Sequence, residues 1–207
     1  MASEEPKREP LEYRSASVRV PPLPAGTGAL GMRLFLVSLF MLFGAAMVGY
    51  AFIRLAGGKS PPRGSLHFPQ LLWVSTALVI CVSLAMSQAV SAVRRERQHE
   101  FRIWLSISLA LAIAFLLVQA PAMALLLVEH ERLRAAGLFL YGLVFVLILL
   151  HALHVFGGMF ALVRLTFRAR RGAYDHEHFQ PVRHTAWYWH FLDVIWILMF
   201  ATFLLTA

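Results

Sequence analysis

Residues 187–196 read Trp187-Tyr188-Trp189-His190-Phe191-Leu192-Asp193-Val194-Ile195-Trp196 and open the last membrane-length segment of the chain. Asp193 and His190 stand one helical turn apart in a stretch that is otherwise soluble in lipid. Asp193 lies nine residues past His184, a rise of about 14 Å at 1.5 Å per residue. That depth is near the middle of a hydrocarbon core roughly 30 Å thick, beyond easy snorkelling. An ionisable side chain so placed is expensive and marks a functional site by default.

The rest of the chain fits a lipid setting. Of 207 residues, 59% are hydrophobic and only 14% charged, where a soluble domain carries roughly a quarter charged residues. Mean hydropathy is +0.66. Five runs reach the length of about 20 apolar residues that a spanning helix needs: Gly31–Leu55, Phe68–Val93, Phe101–Val128, Ala135–Leu165 and His184–Thr206. The expected fold is all-α, a polytopic bundle of five transmembrane helices over residues 31–207. Residues 1–30, polar and proline-bearing, read as a flexible tail without a signal-peptide apolar region.

The formal charge of +8 raises the question of nucleic acid, but the basic residues fall in short connectors between apolar runs. That pattern reads as topology and contact with anionic headgroups. The tail with Arg33, the turn Arg94–Arg102 and the connector Arg164–Arg183 together hold fourteen Lys and Arg. The opposite connectors hold five, which predicts a cytoplasmic N-terminus and an outside C-terminus. Short connectors predict that consecutive helices are antiparallel neighbours. Cys81, the lone cysteine, permits no internal disulfide and reads as a small packing residue.

Among the polar residues at depth, His151 and His154 stand one turn apart on helix 4. His154 comes close to Asp193 in depth and is the expected partner for it. Such a bond admits three roles: fixing helix packing, handling protons, or meeting a partner subunit. Two histidines on one helix cannot serve both axial positions of a haem. No Cys-x-x-Cys-His, no phosphate-binding glycine loop and no Ser-His-Asp arrangement placed at a water-accessible surface is seen, so no metal site or catalysis is expected of this chain. His176 and His178 give only a weak metal pattern in a polar connector.

Other positions speak to packing and lipid. Gly157-Gly158 with Ala161, and Gly44-Ala45-Ala46 with Gly49, permit close helix approach. Pro121, following Gln119, removes an intrahelical bond and should bend helix 3. Arg164 and Arg168, four residues apart, can snorkel singly or clamp one lipid phosphate. Trp187, Tyr188 and Trp189 form an aromatic belt, with Trp187 and Trp189 placed for lipid.

The stretch Trp187–Trp196 resembles the signature of cytochrome c oxidase subunit III, whose last helix carries Trp-Tyr-Trp-His-Phe-x-Asp-Val-x-Trp. His151-Ala152-Leu153-His154-Val155-Phe156-Gly157-Gly158 is similar to that family's preceding helix, and Gly31-Met32, Ser38 and Phe43 match it more weakly. The resemblance runs over all five helices and, with only five, points to the bacterial type. It implies a non-catalytic subunit in the bacterial cytoplasmic membrane, packed beside subunit I of a haem–copper oxidase. Haem and copper would lie in subunits I and II, with phospholipid bound here. His151, His154, His190 and Asp193 would then support structure and proton uptake. Leu39 stands where many members carry a glutamate, and Pro121-Ala122 where a second acid is common. Those departures leave two alternatives: an accessory subunit of a nitric oxide reductase, and an independent transporter or scaffold.

Overall fold

The computed structural model describes residues 26–55, 71–135, 139–172, 174 and 179–206. Five helices account for nearly all of them: α1 (Thr27–Leu55), α2 (Leu71–Arg94), α3 (Gln98–Ala135), α4 (Phe139–Arg170) and α5 (Gln180–Thr206). The shortest, α2, has 24 residues, a rise of about 36 Å. Each helix is long and apolar enough to cross a bilayer. The chain is a multi-pass, all-α membrane protein.

The helices overrun the apolar runs that announce them. α1 takes in Thr27–Leu30, and α3 continues through Pro121 to Ala135. Most of the N-terminal tail and the His176/His178 connector lie outside the described residues. Local bonds set two of the ends. Arg97 N–H donates to Ala92 O at 3.0 Å and Glu96 N–H to Val93 O at 3.2 Å. This pair of bonds closes α2 around a left-handed residue. That residue is Glu96, at φ 62°, where glycine is the usual choice. α4 stops at Gly172, φ 70°, whose N–H donates to Ala169 O at 3.1 Å.

In lipid no hydrophobic force joins helices, so close packing and polar bonds must do it. α2, α3, α4 and α5 close a ring by successive contacts, and α1 lies against α4 and α5. α5 is the centrepiece: half of its span is buried, against 22% for α1. One core cluster fills the ring around Phe101, Leu105, Phe115, Leu162, Trp189 and Leu192. A second joins α1 to α4 and α5 through Phe43, Tyr50, Leu147, Ile195 and Met199. The expected neighbour rule holds for α2 to α5 but fails at α1. Among the described residues α1 and α2 do not touch, because α5 takes the place beside α2.

One end of the bundle gathers the arginines. Gln98 Nε2 donates to Tyr174 O at 3.2 Å, tying the start of α3 to the connector after α4. Arg94 lies over the Phe179 ring at 6.0 Å, and Arg183 over Trp187 at 4.9 Å. Arg33 reaches the same Trp187 ring at 5.7 Å. These rings hold cations at the level where a membrane interface would lie.

Of the glycines read as approach points, those on α4 act as the sequence implied, while on α1 it is Ala46 that packs against the α4–α5 cluster. A Cβ on Gly158 would come within 3.1 Å of Tyr188 Cε1 and 3.3 Å of Leu192 Cδ1, so α4 and α5 touch there. Gly44 and Gly49 on α1 have nothing within 4 Å of such a Cβ and mediate no close approach. Cys81 is exposed and faces outward rather than packing in the core.

Candidate functional site

Asp193 is 5% exposed. Positions 190, 193 and 196 recur every three residues along α5 and form one stripe. That stripe bonds to α2, although the Trp196 ring also stacks on His151 of α4. Opposite it, α2 presents Thr76, Ser83 and Ser87. Trp196 Nε1 donates to Thr76 Oγ1 at 3.0 Å. His190 is held at both ring nitrogens, Nδ1 by Ser83 Oγ and Nε2 by Ser87 Oγ, the latter at 3.1 Å.

Ser87 Oγ also donates to Ser83 O at 3.1 Å. Which serine accepts and which donates to the imidazole depends on the ring's tautomer. Ser83 also adjoins the Asp193 carboxyl, and neither carboxyl oxygen has a partner at full hydrogen-bonding geometry among the described residues.

The expected pairing of Asp193 with His154 is therefore not formed. His154 Nδ1 donates to Leu150 O, one turn back in its own helix, at 2.7 Å. Its ring meets Phe43 of α1 edge-on at 5.4 Å. His151 also meets Phe43, at 6.1 Å, and stacks on Trp196 at 5.4 Å. The four residues singled out from the sequence thus divide. His190 and Asp193 face the α2 serines, His154 lies toward α1, and His151 sits between Phe43 of α1 and Trp196 of α5. Among the described residues, no group of three or more His, Cys, Asp or Glu side chains is placed to hold a metal ion.

Tyr188 links the α4–α5 seam. Its hydroxyl donates to His154 O at 2.9 Å, and its ring stacks on Phe35 of α1 at 6.0 Å. Tyr188→Phe should lower the unfolding free energy by about 1 kcal/mol, the usual net value of one bond. Thermal unfolding in a mild detergent reads this directly, and an unchanged midpoint would show the bond to be dispensable.

The lipid-facing candidates divide too. Arg164 and Arg168 are exposed and, with Arg171, Phe160, Val163 and Phe167, line an open groove of about 640 Å³ on α4. Arg168 also lies over the Tyr174 ring at 5.8 Å. Trp187 is half-buried beneath Arg33 and Arg183. Trp189 is 0% exposed and packs in the ring core, so it does not meet lipid. Neighbouring helix positions point about 100° apart, which is why Trp187 and Trp189 part company. Sequence reasoning missed Ser83 and Ser87. Their spacing of four, continued by Thr76 and Ser75 in an otherwise apolar helix, was the available signal.

A five-helix membrane bundle with an aspartate and a histidine set into the α2–α5 seam is the architecture to be placed. The family model described as cytochrome c oxidase subunit III matches residues 25–206, and the chain belongs to that family. It is 28% identical over 172 residues to cytochrome c oxidase subunit 3 of Thermostichus vulcanus, covering 83% of each chain. It is 31% identical over 179 residues to a probable cytochrome c oxidase subunit 3 of Mycobacterium leprae, covering 83% of this chain and 84% of the other. With quinol oxidase subunit 3 of Bacillus subtilis it shares 27% identity over 193 residues, covering 92% and 89%.

Proposed function

We propose that this chain is the non-catalytic third subunit of a haem–copper terminal oxidase in a bacterial cytoplasmic membrane, in a hetero-oligomer with subunits I and II. The observation that carries the reading is the family match along all five helices. Relatives named for two electron donors, cytochrome c and quinol, match alike. That fits a subunit that touches neither donor. The arginine-rich end would face the cytoplasm, by the excess of Lys and Arg there.

Two features give its supporting role a physical form. The groove of Arg164, Arg168 and Arg171 offers several guanidinium donors to a lipid phosphate, with Phe160, Val163 and Phe167 beside them for acyl chains. The run Ser87, His190, Ser83, Asp193 leads from an exposed hydroxyl to a buried acid, a layout suited to supporting proton uptake by subunit I.

Purification in mild detergent, with identification of co-eluting chains and haem spectra, tests the assignment. The isolated polypeptide should be colourless, and haem should appear only with oxidase subunits I and II retained. Co-elution with nitric oxide reductase subunits would replace this reading with the reductase accessory. Substrate-stimulated flux through the reconstituted chain alone would favour a transporter.

A further inference from the structure

At the arginine-rich end, cations and aromatic rings alternate across three helices. Arg94 of α2 and Arg183 of α5 each lie 6.0 Å from the centre of the Phe179 ring. Arg183 also lies 4.9 Å from the centre of the Trp187 ring, and Arg33 of α1 meets that same ring at 5.7 Å. Two guanidiniums on one indole stand no more than about 11 Å apart, held by the ring against their mutual repulsion. Arg33, Arg94 and Arg183 form no ion pair with any described residue. Like charges gathered in this way call for an anion from outside the bundle.

The surroundings say which anion. The row of arginines crosses the gap between α1 and α2, which both pack on α5 but do not touch each other among the described residues. α1 begins against α5, where a Cβ on Gly28 would stand 3.5 Å from His184 Cε1. Past Trp187 the same face of α5 continues with Val194 and Leu198, at spacings of seven and four, and both are exposed. Exposed Val37 and Phe40 follow Arg33 along α1 at spacings of four and seven. Cations and rings thus stand at the interface level, with an apolar strip beneath them on both helices. A lipid phosphate with its acyl chains matches both levels, whereas a free phosphate ion or an acidic peptide matches only the first.

We infer that an anionic phospholipid lies over α5 between α1 and α2, its phosphate held by Arg33 and Arg183 beside Trp187. Arg183 offers the planar fork of donors that suits a phosphate, and the long, exposed Arg33 side chain closes on it from α1. Arg94 adds a third positive charge from α2. The lipid supplies the contact that α1 and α2 lack, and α1, the least buried helix, gains most from it. The site is separate from the groove of Arg164 and Arg168 on α4, and it rests on the membrane setting rather than on the oxidase assignment.

Native mass spectrometry of the full chain, and of the complex it co-purifies with, counts the lipids kept from micelles doped with phosphatidylglycerol. The variant carrying Arg33→Gln and Arg183→Gln should keep one fewer phosphatidylglycerol per chain, with affinity for that lipid down about tenfold or more. Zwitterionic phosphatidylcholine should compete poorly for the site. A reference variant with Arg164→Gln and Arg168→Gln, altered on α4 alone, should keep this lipid. Arg33→Gln by itself, on an exposed side chain, serves where the double variant does not fold. Undiminished retention in the Arg33 and Arg183 variants would overturn the inference. So would displacement of the lipid by inorganic phosphate, which would make this an ion site. Retention that appears only after Asp175→Asn and Glu177→Gln would give the arginines to the chain's own connector and equally overturn it. Absence of subunits I and II from the preparation would sink the oxidase reading and leave the lipid count standing.

Discussion

Gly158→Leu should separate α4 from α5 and lower the stability of the chain by about 3 kcal/mol, the upper end of the overpacking range. A Cβ at this position would stand 3.1 Å from Tyr188 Cε1, 3.4 Å from Tyr188 Cδ1 and 3.3 Å from Leu192 Cδ1. Tyr188 cannot easily retreat, because its hydroxyl is bonded to His154 O and its ring stacks on Phe35. Leu192 is wholly buried in the ring core. Alanine is a milder case. It gains up to about 1 kcal/mol of helix propensity over glycine, which offsets a crowding of a few tenths of an ångström. Gly158→Ala should therefore be close to neutral.

The control is Gly31→Leu, at an exposed position with nothing within 4 Å of a built Cβ. It should leave the midpoint unchanged or raise it. Thermal unfolding of the three variants in one detergent separates crowding from a general intolerance of bulk. Equal losses for Gly158→Leu and Gly31→Leu would refute the close-approach argument.

The contrast between these glycines shows what sequence conveys in a membrane protein and what it withholds. Depth is legible. The length of an apolar run, the arginines that bound it and the count of residues from an end are all one-dimensional. They yielded five spans, the grouping of arginines at one end and the position of Asp193 well inside. Azimuth is not legible in the same way, because the apolar residues run around every helix and no polar face marks the core side. Trp189 was read as belt from its level, yet it points into the core. Gly44 was read as an approach point, yet it faces nothing. Asp193 was given to His154 because the two share a level, yet α5 is rotated to turn its stripe of 190, 193 and 196 toward α2.

Helix ends were misjudged for a related reason. Hydropathy reports where a helix leaves the membrane, not where its hydrogen bonding stops. α3 continues past its apolar run to Ala135, and α2 ends where Glu96 takes a left-handed conformation. The azimuthal signal that was present lay in α2. Thr76, Ser83 and Ser87 fall at helical spacing, and each hydroxyl meets the α5 stripe.

Asp193→Leu should leave the chain's own fold as stable as before, or more stable by about 1–3 kcal/mol. This expectation follows from the geometry: neither carboxyl oxygen has a partner at full hydrogen-bonding geometry among the described residues. A buried polar group in that condition opposes folding. Replacing it with an apolar side chain of similar volume removes the penalty, as it often does for buried ionic groups. The loss should appear at the level of the complex instead. Recovery of the subunit with its oxidase partners should fall several-fold, while electron transfer within the partners, measured per haem, stays near its starting value. Asp193→Asn distinguishes what the partners need. It keeps the polar volume but cannot carry a proton, so retention in the complex should survive if the group serves as a hydrogen-bonding contact. Normal retention with collapsed proton uptake in the asparagine variant would make Asp193 a proton-handling group. A drop in the stability of the isolated leucine variant would mean that the acid is satisfied within this chain, with the adjoining Ser83 hydroxyl as its partner.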